Sequence, residues 1–234
     1  MSFHFSPKIV TDGLILYLDA ANTKSFVSGS ASWNDLSSDN TSGNITLFGG
    51  VGFTSSNAGS LVFDGANTYA KTNNQFVIPE KITFSCWVKI GTQSYVQTLI
   101  GDGGQSLTLG YIWIFRGSSS STNLVFQYSN GTDIQTISTS GYFTNFNNMW
   151  VNVAITIDYV NGGNVIVYRN GVLVNNQVLT TPQVPRNLNR YFGAYSNSNS
   201  VINGNLSNVL MYNRILSSTE IVQNYKAIKS RFGL

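Results

Sequence analysis

Residues 82–90 read ITFSCWVKI and residues 150–158 read WVNVAITID. In an extended chain successive side chains point to opposite faces. Ile82, Phe84, Cys86, Val88 and Ile90 therefore share one side of the first segment, and Val151, Val153, Ile155 and Ile157 one side of the second. Runs of this length with one apolar face are strands whose greasy sides make a core. The opposite faces carry Thr83, Ser85, Trp87 and Lys89 in one segment, and Trp150, Asn152, Ala154, Thr156 and Asp158 in the other. These are expected to look outward.

The same alternation recurs along the chain, at 14–19, 60–64, 107–115, 123–129, 133–139, 164–177, 190–196 and 205–212. Asn130-Gly131 and Asn170-Gly171 stand between alternating runs, where both residues tolerate the positive φ of tight hairpins. So many strands with short connections cannot lie in one open sheet. The pattern predicts an all-β protein, a two-sheet antiparallel jelly-roll β-sandwich.

The ending differs. In YNRILSSTEIVQNYKAIKSRFGL, Ser217 and Glu220 form a capping box, and Leu216 and Ile221 stand at hydrophobic-staple spacing. Ile221, Tyr225, Ile228 and Phe232 fall on one stripe and Gly233 marks a stop, so the spacing predicts a short C-terminal α-helix. Its apolar stripe should pack on the sandwich, covering an edge or one end; docking on another chain is the alternative. The expected organisation is an N-terminal arm over 1–9, a sandwich over 10–216 and the helix over 217–234.

With 234 residues, 42% hydrophobic and 13% aromatic, the chain is a folded domain of ordinary size. Only 10% of residues are charged and the net charge is +3, with basic residues scattered, so no nucleic-acid footprint is present. No apolar run is long enough to span a membrane, and MSFHFSPKIV lacks the features of an export signal. The single cysteine, Cys86, forms no internal disulfide.

The segments GLILYLDAANTKSF, Trp33 with Asp35 to Ser37, LVFDGANTYAKT, ITFSCWVK, WVNVAITID, VIVYRNGVL and NLSNVLMYNRILSSTEI resemble, in this order, the laminin-G-like and pentraxin-like branch of the concanavalin A-like lectin/glucanase superfamily. The terminal segments look most like versions found in structural proteins of tailed bacteriophages. The resemblance implies a jelly roll and two habits, glycan cleavage or glycan binding. Cleavage needs two carboxylates flanking the bond, and here no acids alternate along a strand: Glu80 adjoins Pro79, Glu220 sits in the capping box, and the aspartates cluster at strand ends and turns. The lone histidine, His4, lies in the arm, and Cys86 falls on a core face. The chain is therefore expected not to be an enzyme.

For glycan binding the candidates are Trp87, on the polar face of its strand, and Tyr111 and Trp113 in YIWIF, where Tyr111, Trp113 and Phe115 share one side and Ile112 and Ile114 the other; either side is eligible as core. Asp64 in FDGANTY matches an acid that related modules sometimes use for calcium, the one cofactor this resemblance raises, although Thr68 stands where a second acid is common. The functional expectation is a non-enzymatic virion protein, a capsid decoration, fibre or knob module assembled in the host cytoplasm. It would partner other virion proteins and surface glycans, with Phe3 and Phe5 of the arm as docking residues and a homo-oligomer open. The alternative is a stand-alone carbohydrate-binding module or adhesin.

Overall fold

The computed structural model describes residues 7–39, 41–103, 111–117, 121–160, 162–180 and 186–234. Phe3, His4 and Phe5, and residues 107–110 of one expected strand, lie outside the described residues. In chain order the strands are β1 (Leu14–Asp19), β2 (Ser32–Trp33), β3 (Ile45–Phe48), β4 (Gly52–Thr54), β5 (Ser60–Asp64), β6 (Tyr69–Thr72), β7 (Phe76–Val77), β8 (Lys81–Ile90) and β9 (Gln97–Gly101). They continue as β10 (Tyr111–Arg116), β11 (Leu124–Ser129), β12 (Ile134–Thr139), β13 (Trp150–Asp158), β14 (Asn164–Arg169), β15 (Val172–Val178), β16 (Asn187–Leu188), β17 (Tyr191–Phe192) and β18 (Asn203–Tyr212). One α-helix, α1 (Ser218–Ile228), follows and runs into a 3-10 turn over Lys229–Phe232.

The strands build a sandwich of two large antiparallel sheets. The first runs β15-β14-β13-β8-β18-β5-β4, and β1 pairs with the far half of β18 where β5 ends. The second runs β12-β11-β10-β9-β17-β6-β3-β2. Strands β8 and β13 pair without a slip from Lys81↔Asp158 to Lys89↔Trp150, so Phe84 faces Ile155 and Cys86 faces Val153 on one side of the sheet. That side meets Ile112, Ile114, Leu124 and Phe126 of the second sheet in the main core. The Asn170-Gly171 turn has φ of 52° and 77°, the left-handed pair that a two-residue hairpin between β14 and β15 requires.

The opposite face of β8 and β13 does not look outward. Thr83, Ser85, Trp87, Asn152, Ala154 and Thr156 are all buried; Lys89, Trp150 and Asp158 keep partial exposure, and Lys81, at the start of β8, is exposed. The cause is α1, which lies across this sheet face rather than over an edge or an end. Its Ile221, with Leu216 just before the helix, enters a second apolar cluster with Val10, Ala154, Tyr168, Leu210 and Tyr212. Thr83, Ser85 and Asn152 tolerate burial because they are bonded, whereas Thr156 Oγ1 and Trp87 Nε1 are buried without a hydrogen-bond partner. The Thr83 hydroxyl donates to the Arg214 carbonyl at 2.8 Å and accepts from the Leu216 N–H at 2.9 Å, and the Asn152 amide donates to Ser85 Oγ and the Cys86 carbonyl.

Local chemistry fixes the helix start. Ser217 and Glu220 make the reciprocal capping box, and Arg214 grips the Glu220 carboxylate at 2.6 and 3.1 Å. Further on, buried Asn224 accepts from the Val10 N–H at 2.8 Å and donates to Tyr212 Oη at 3.0 Å, so one amide pins the N-terminal segment, β18 and α1 together.

Candidate functional site

Strand β10 lies between β9 and β11, with Trp113 opposite Gly101 on one side and Gln127 on the other. Ile112 and Ile114 enter the core, so Trp113 stands on the outer face of the second sheet, half-buried and outside both apolar clusters. Its indole is held in place. Nε1 donates to Thr98 Oγ1 at 2.7 Å, and the ring lies 4.2 Å from that of Phe115 and 4.6 Å from that of Tyr195. Tyr195 reaches this position because residue 101 is glycine: a Cβ there would fall 2.7 Å from the Tyr195 backbone.

The aromatic surface continues across β17, β6 and β3. Tyr191 lies opposite Gly101 and Lys71, the Tyr69 ring is 5.9 Å from Tyr191, and Phe48 stacks on Tyr69 at 4.7 Å. Lys71 Nζ sits 5.5 Å from the Tyr191 ring centre and is the one charged side chain among these. On the other flank Gln127 donates to Thr136 Oγ1 at 3.0 Å, and Asn123 to Ser138 Oγ at 3.3 Å. The result is a row of fixed rings, with Phe48 exposed, Trp113 and Tyr69 half-buried and Phe115, Tyr191 and Tyr195 buried, bordered by neutral amides and hydroxyls. Such a surface suits ligands with C–H faces and many hydroxyls, because rings accept the former by stacking and the polar rim pairs with the latter.

The sequence candidates separate accordingly. Trp113 belongs to this surface. Tyr111 opens β10 opposite Ser129, and its side chain lies outside the described residues. Trp87 is corrected: it is 1% exposed, stacked on Phe232 at 4.3 Å and on Tyr225 at 5.6 Å beneath the C-terminal segment, so no ligand reaches it. Tyr195, Tyr191, Tyr69 and Phe48 escape sequence reasoning because strand pairing, and for Tyr195 the bend after β17, brings them together rather than spacing along the chain. The signal available was the aromatics of RYFGAYS, legible as a strand, and of FDGANTYAKT, where the expected strand stops at residue 64.

Asp64 is a turn cap. Its Oδ1 accepts from the N–H groups of Ala66, Asn67 and Thr68 at 2.8 to 3.1 Å and from the Thr68 hydroxyl at 2.8 Å. Partial burial pushes the carboxyl up, but these bonds outweigh it and hold the pKa at about 2, below the ordinary carboxylate value. Thr68, where calcium would need another oxygen ligand, instead donates to Asp64. Among the described residues no group of three or more His, Cys, Asp or Glu side chains gathers. The residues present do not fit a calcium site of six to eight oxygens.

Other carboxylates are occupied by cations: Asp12 and Glu220 by Arg214, Asp19 by Arg231, Asp158 by Lys81 and buried Asp102 by Arg190. In a hollow of about 730 Å³ between the Pro7–Ile9 segment and the end of α1, Tyr17 and Arg231 are committed to Asp19 and Ser37 donates to Asp35. Arg231 holds both oxygens of Asp19 at 2.7 and 2.8 Å, and Tyr17 Oη donates to Asp19, burial and that neighbouring charge pushing the phenol up to about 12.

Solved structures of similar fold include domain 4 of AbnA, an extracellular GH43 arabinanase from Geobacillus stearothermophilus, in complex with arabinotriose. The TM-score is 0.68 and the identity 14%, over 92% of this chain and 100% of that one. The binding domain of Paraclostridial Mosquitocidal Protein 1 aligns with a TM-score of 0.66 and 19% identity over 91% of this chain and 52% of that one. The binding domain of Botulinum Neurotoxin DC in complex with SialylT gives 0.68 and 18% over 93% and 52%. The chain thus spans about half the length of these toxin domains, and at such identities the likeness is one of fold. No curated protein matches the sequence. The sequence model of the laminin-G-type family described as "Concanavalin A-like lectin/glucanases superfamily" matches residues 64–222, more than half of the chain and including β6 to β18. The chain belongs to the concanavalin A-like lectin/glucanases superfamily.

Proposed function

We propose that the protein is a non-catalytic carbohydrate-binding module whose sugar platform is the outer face of the second sheet. The observation that carries this reading is the locked indole of Trp113, bonded through its N–H and braced by Phe115 and Tyr195 while its remaining surface stays open. A platform ordered before the ligand arrives avoids the entropy of immobilising side chains on binding. The jelly roll of the arabinanase domain, crystallised with arabinotriose, supports the same use of the fold. The test is a glycan array followed by titration of the best glycan and of arabinotriose into wild-type protein and Trp113→Ala. Binding that weakens at least about tenfold in the variant, roughly 1.4 kcal/mol, is expected for loss of a central aromatic anchor. Wild-type protein that is folded and binds no glycan overturns the reading.

The setting is a separate proposal. The resemblance of the two terminal segments to phage structural proteins supports display on a virion, where glycan binding would aid adhesion. The test is genomic: head- or tail-assembly genes found beside this one would support that setting, and a neighbourhood without them would count against it. Particles that retain the protein after deletion of residues 1–9 refute the role of Phe3 and Phe5 as docking residues.

A further inference from the structure

A second open groove of about 460 Å³ lies away from the aromatic face, where the end of β8, the start of β18 and the loops at 91–93 and 147–148 meet. Its rim carries Thr92, Gln93, Asn147, Asn203 and Asn205, and no ionisable side chain lines it. Two buried side chains hold its walls. Gln97, fully buried, donates to the Gly91 carbonyl at 2.7 Å and accepts from the Asn203 N–H at 3.0 Å, so one amide spans both sides. Arg116, 1% exposed, donates to the carbonyls of Ile90 and Gly91 and to Thr92 Oγ1 at 3.1 to 3.2 Å, and its other Nη2 contact reaches Asn147 Oδ1 at 3.4 Å. Burying a guanidinium among carbonyls and hydroxyls is costly, yet here its donors are spent on fixing two loops around an empty space. Closeness of backbones does the rest: a Cβ at Gly204 would fall 2.1 Å from the Lys89 carbonyl oxygen, whereas a Cβ at Gly91 would meet nothing within 4 Å.

We propose that this groove is a second saccharide subsite, taking one uncharged sugar residue at a chain end, separate from the aromatic platform; the proposal rests on the reading of the chain as a sugar-binding module. The chemistry follows from the lining. The Thr92 hydroxyl donates to Asn147 Oδ1 at 2.7 Å and Asn205 donates to Ser60 Oγ at 3.2 Å; the remaining amide donors and acceptors of the rim match the mixed pattern of sugar hydroxyls. A charged sugar would find no opposite charge on the rim, and the Arg116 donors are already engaged. The volume lies within the range of ordinary ligand pockets, about 300–1,000 Å³.

The experiment maps amide shifts in isotope-labelled full-length protein titrated with methyl glucoside, methyl mannoside, methyl galactoside and methyl arabinofuranoside, and separately with sodium glucuronate. At least one neutral glycoside is expected to shift Gly91, Thr92, Asn203 and Asn205, in wild-type protein and equally in Trp113→Ala. Gly91→Leu, which adds a side chain at the groove lining from a Cβ position with nothing within 4 Å, is expected to keep the wild-type melting temperature and lose those shifts. Shifts confined to the Trp113 face, shifts at the groove caused by glucuronate alone, or groove shifts that survive Gly91→Leu each overturn the second subsite. Absence of shifts at the Trp113 face with groove shifts intact counts against the platform and supports the groove.

Discussion

Replacing Phe232 by alanine tests whether the C-terminal segment is the lid that buries Trp87. The ring stacks on Trp87 at 4.3 Å and on Trp150 at 4.5 Å, and closes the outer face of the first sheet. A fully buried Phe→Ala change costs about 3–5 kcal/mol. Phe232 is only half-buried, so roughly half of that, about 2 kcal/mol, is the expected loss. For a domain of this size each kcal/mol moves the midpoint by about 2–4 °C, which gives a fall of about 4–8 °C. Thermal unfolding followed by tryptophan fluorescence reads both consequences: the midpoint falls, and native-state emission shifts to the red as Trp87 and Trp150 meet water. Leu234→Ala, two residues later and exposed, is the control and should move the midpoint by under about 1–2 °C, as a surface change does. Sugar binding should be unchanged, because the platform is on the other sheet. A midpoint within 1 °C of wild type with unshifted emission, or a selective loss of glycan affinity, would refute the assignment of Trp87 to packing.

Calcium should be without effect: adding the ion or a chelator is expected to leave the melting temperature unchanged, and a clear rise with calcium would reverse the reading of Asp64 as a turn cap. Acid should destabilise the fold through two identifiable groups. Arg214 first, then the Ser217 N–H and hydroxyl, hold the Glu220 carboxyl at about 2 against burial that opposes them, and Asp64 is held at about 2 by its turn. Both folded-state values lie below the ordinary 4.5 and 3.8, so their stabilisation is complete above those values and disappears as pH falls toward 2. Glu220→Gln should therefore cost about 1 kcal/mol at pH 7, a cap and an exposed ion pair together, and almost nothing at the bottom of that range. An equal deficit in melting temperature at both ends of the range would count against it.

Strand alternation in 82–90 and 150–158 was enough to place the main core, because every second residue there faces the other sheet. What alternation could not disclose is that the first sheet is covered twice. Thr83, Ser85 and Asn152 are polar enough to look solvent-facing, yet their hydrogen bonds are satisfied inside the protein, to the Arg214 carbonyl, the Leu216 N–H and one another. The apolar stripe of 221, 225, 228 and 232 showed that the helix needs a surface, but only the pairing of β1, β18 and β8 shows which. Short strands such as Ser32–Trp33 and Gly52–Thr54 are below the length at which a period is visible. At the candidate site, YIWIF gave Trp113 directly. Its companions Tyr191, Tyr69 and Phe48 come from strands distant in sequence, and Tyr195 from the bend after β17. The groove had no signal at all, since asparagines are everywhere in this chain.

The two outer faces of the sandwich explain each other. Both sheets carry large rings outward: Trp87, Tyr168 and Tyr212 on the first, Trp113, Tyr69 and Phe48 on the second. On the first, the chain uses its helix and residues 9–10 as a cover, and those rings end almost wholly buried. On the second, no helix lies over the rings among the described residues. There the chain braces Trp113 by a hydrogen bond to Thr98, sets Lys71 beside Tyr191 and leaves Phe48 open. Of the rings on this face Phe48 is exposed and Trp113 and Tyr69 are partly so, while Phe115, Tyr191 and Tyr195 are buried. Rings fixed in place with part of their area uncovered form a surface arranged for contact, since apolar area without a purpose is normally buried or dispersed. With so little charge on the molecule, the partner best matched to such a surface is itself uncharged, flat in places and rich in hydroxyls.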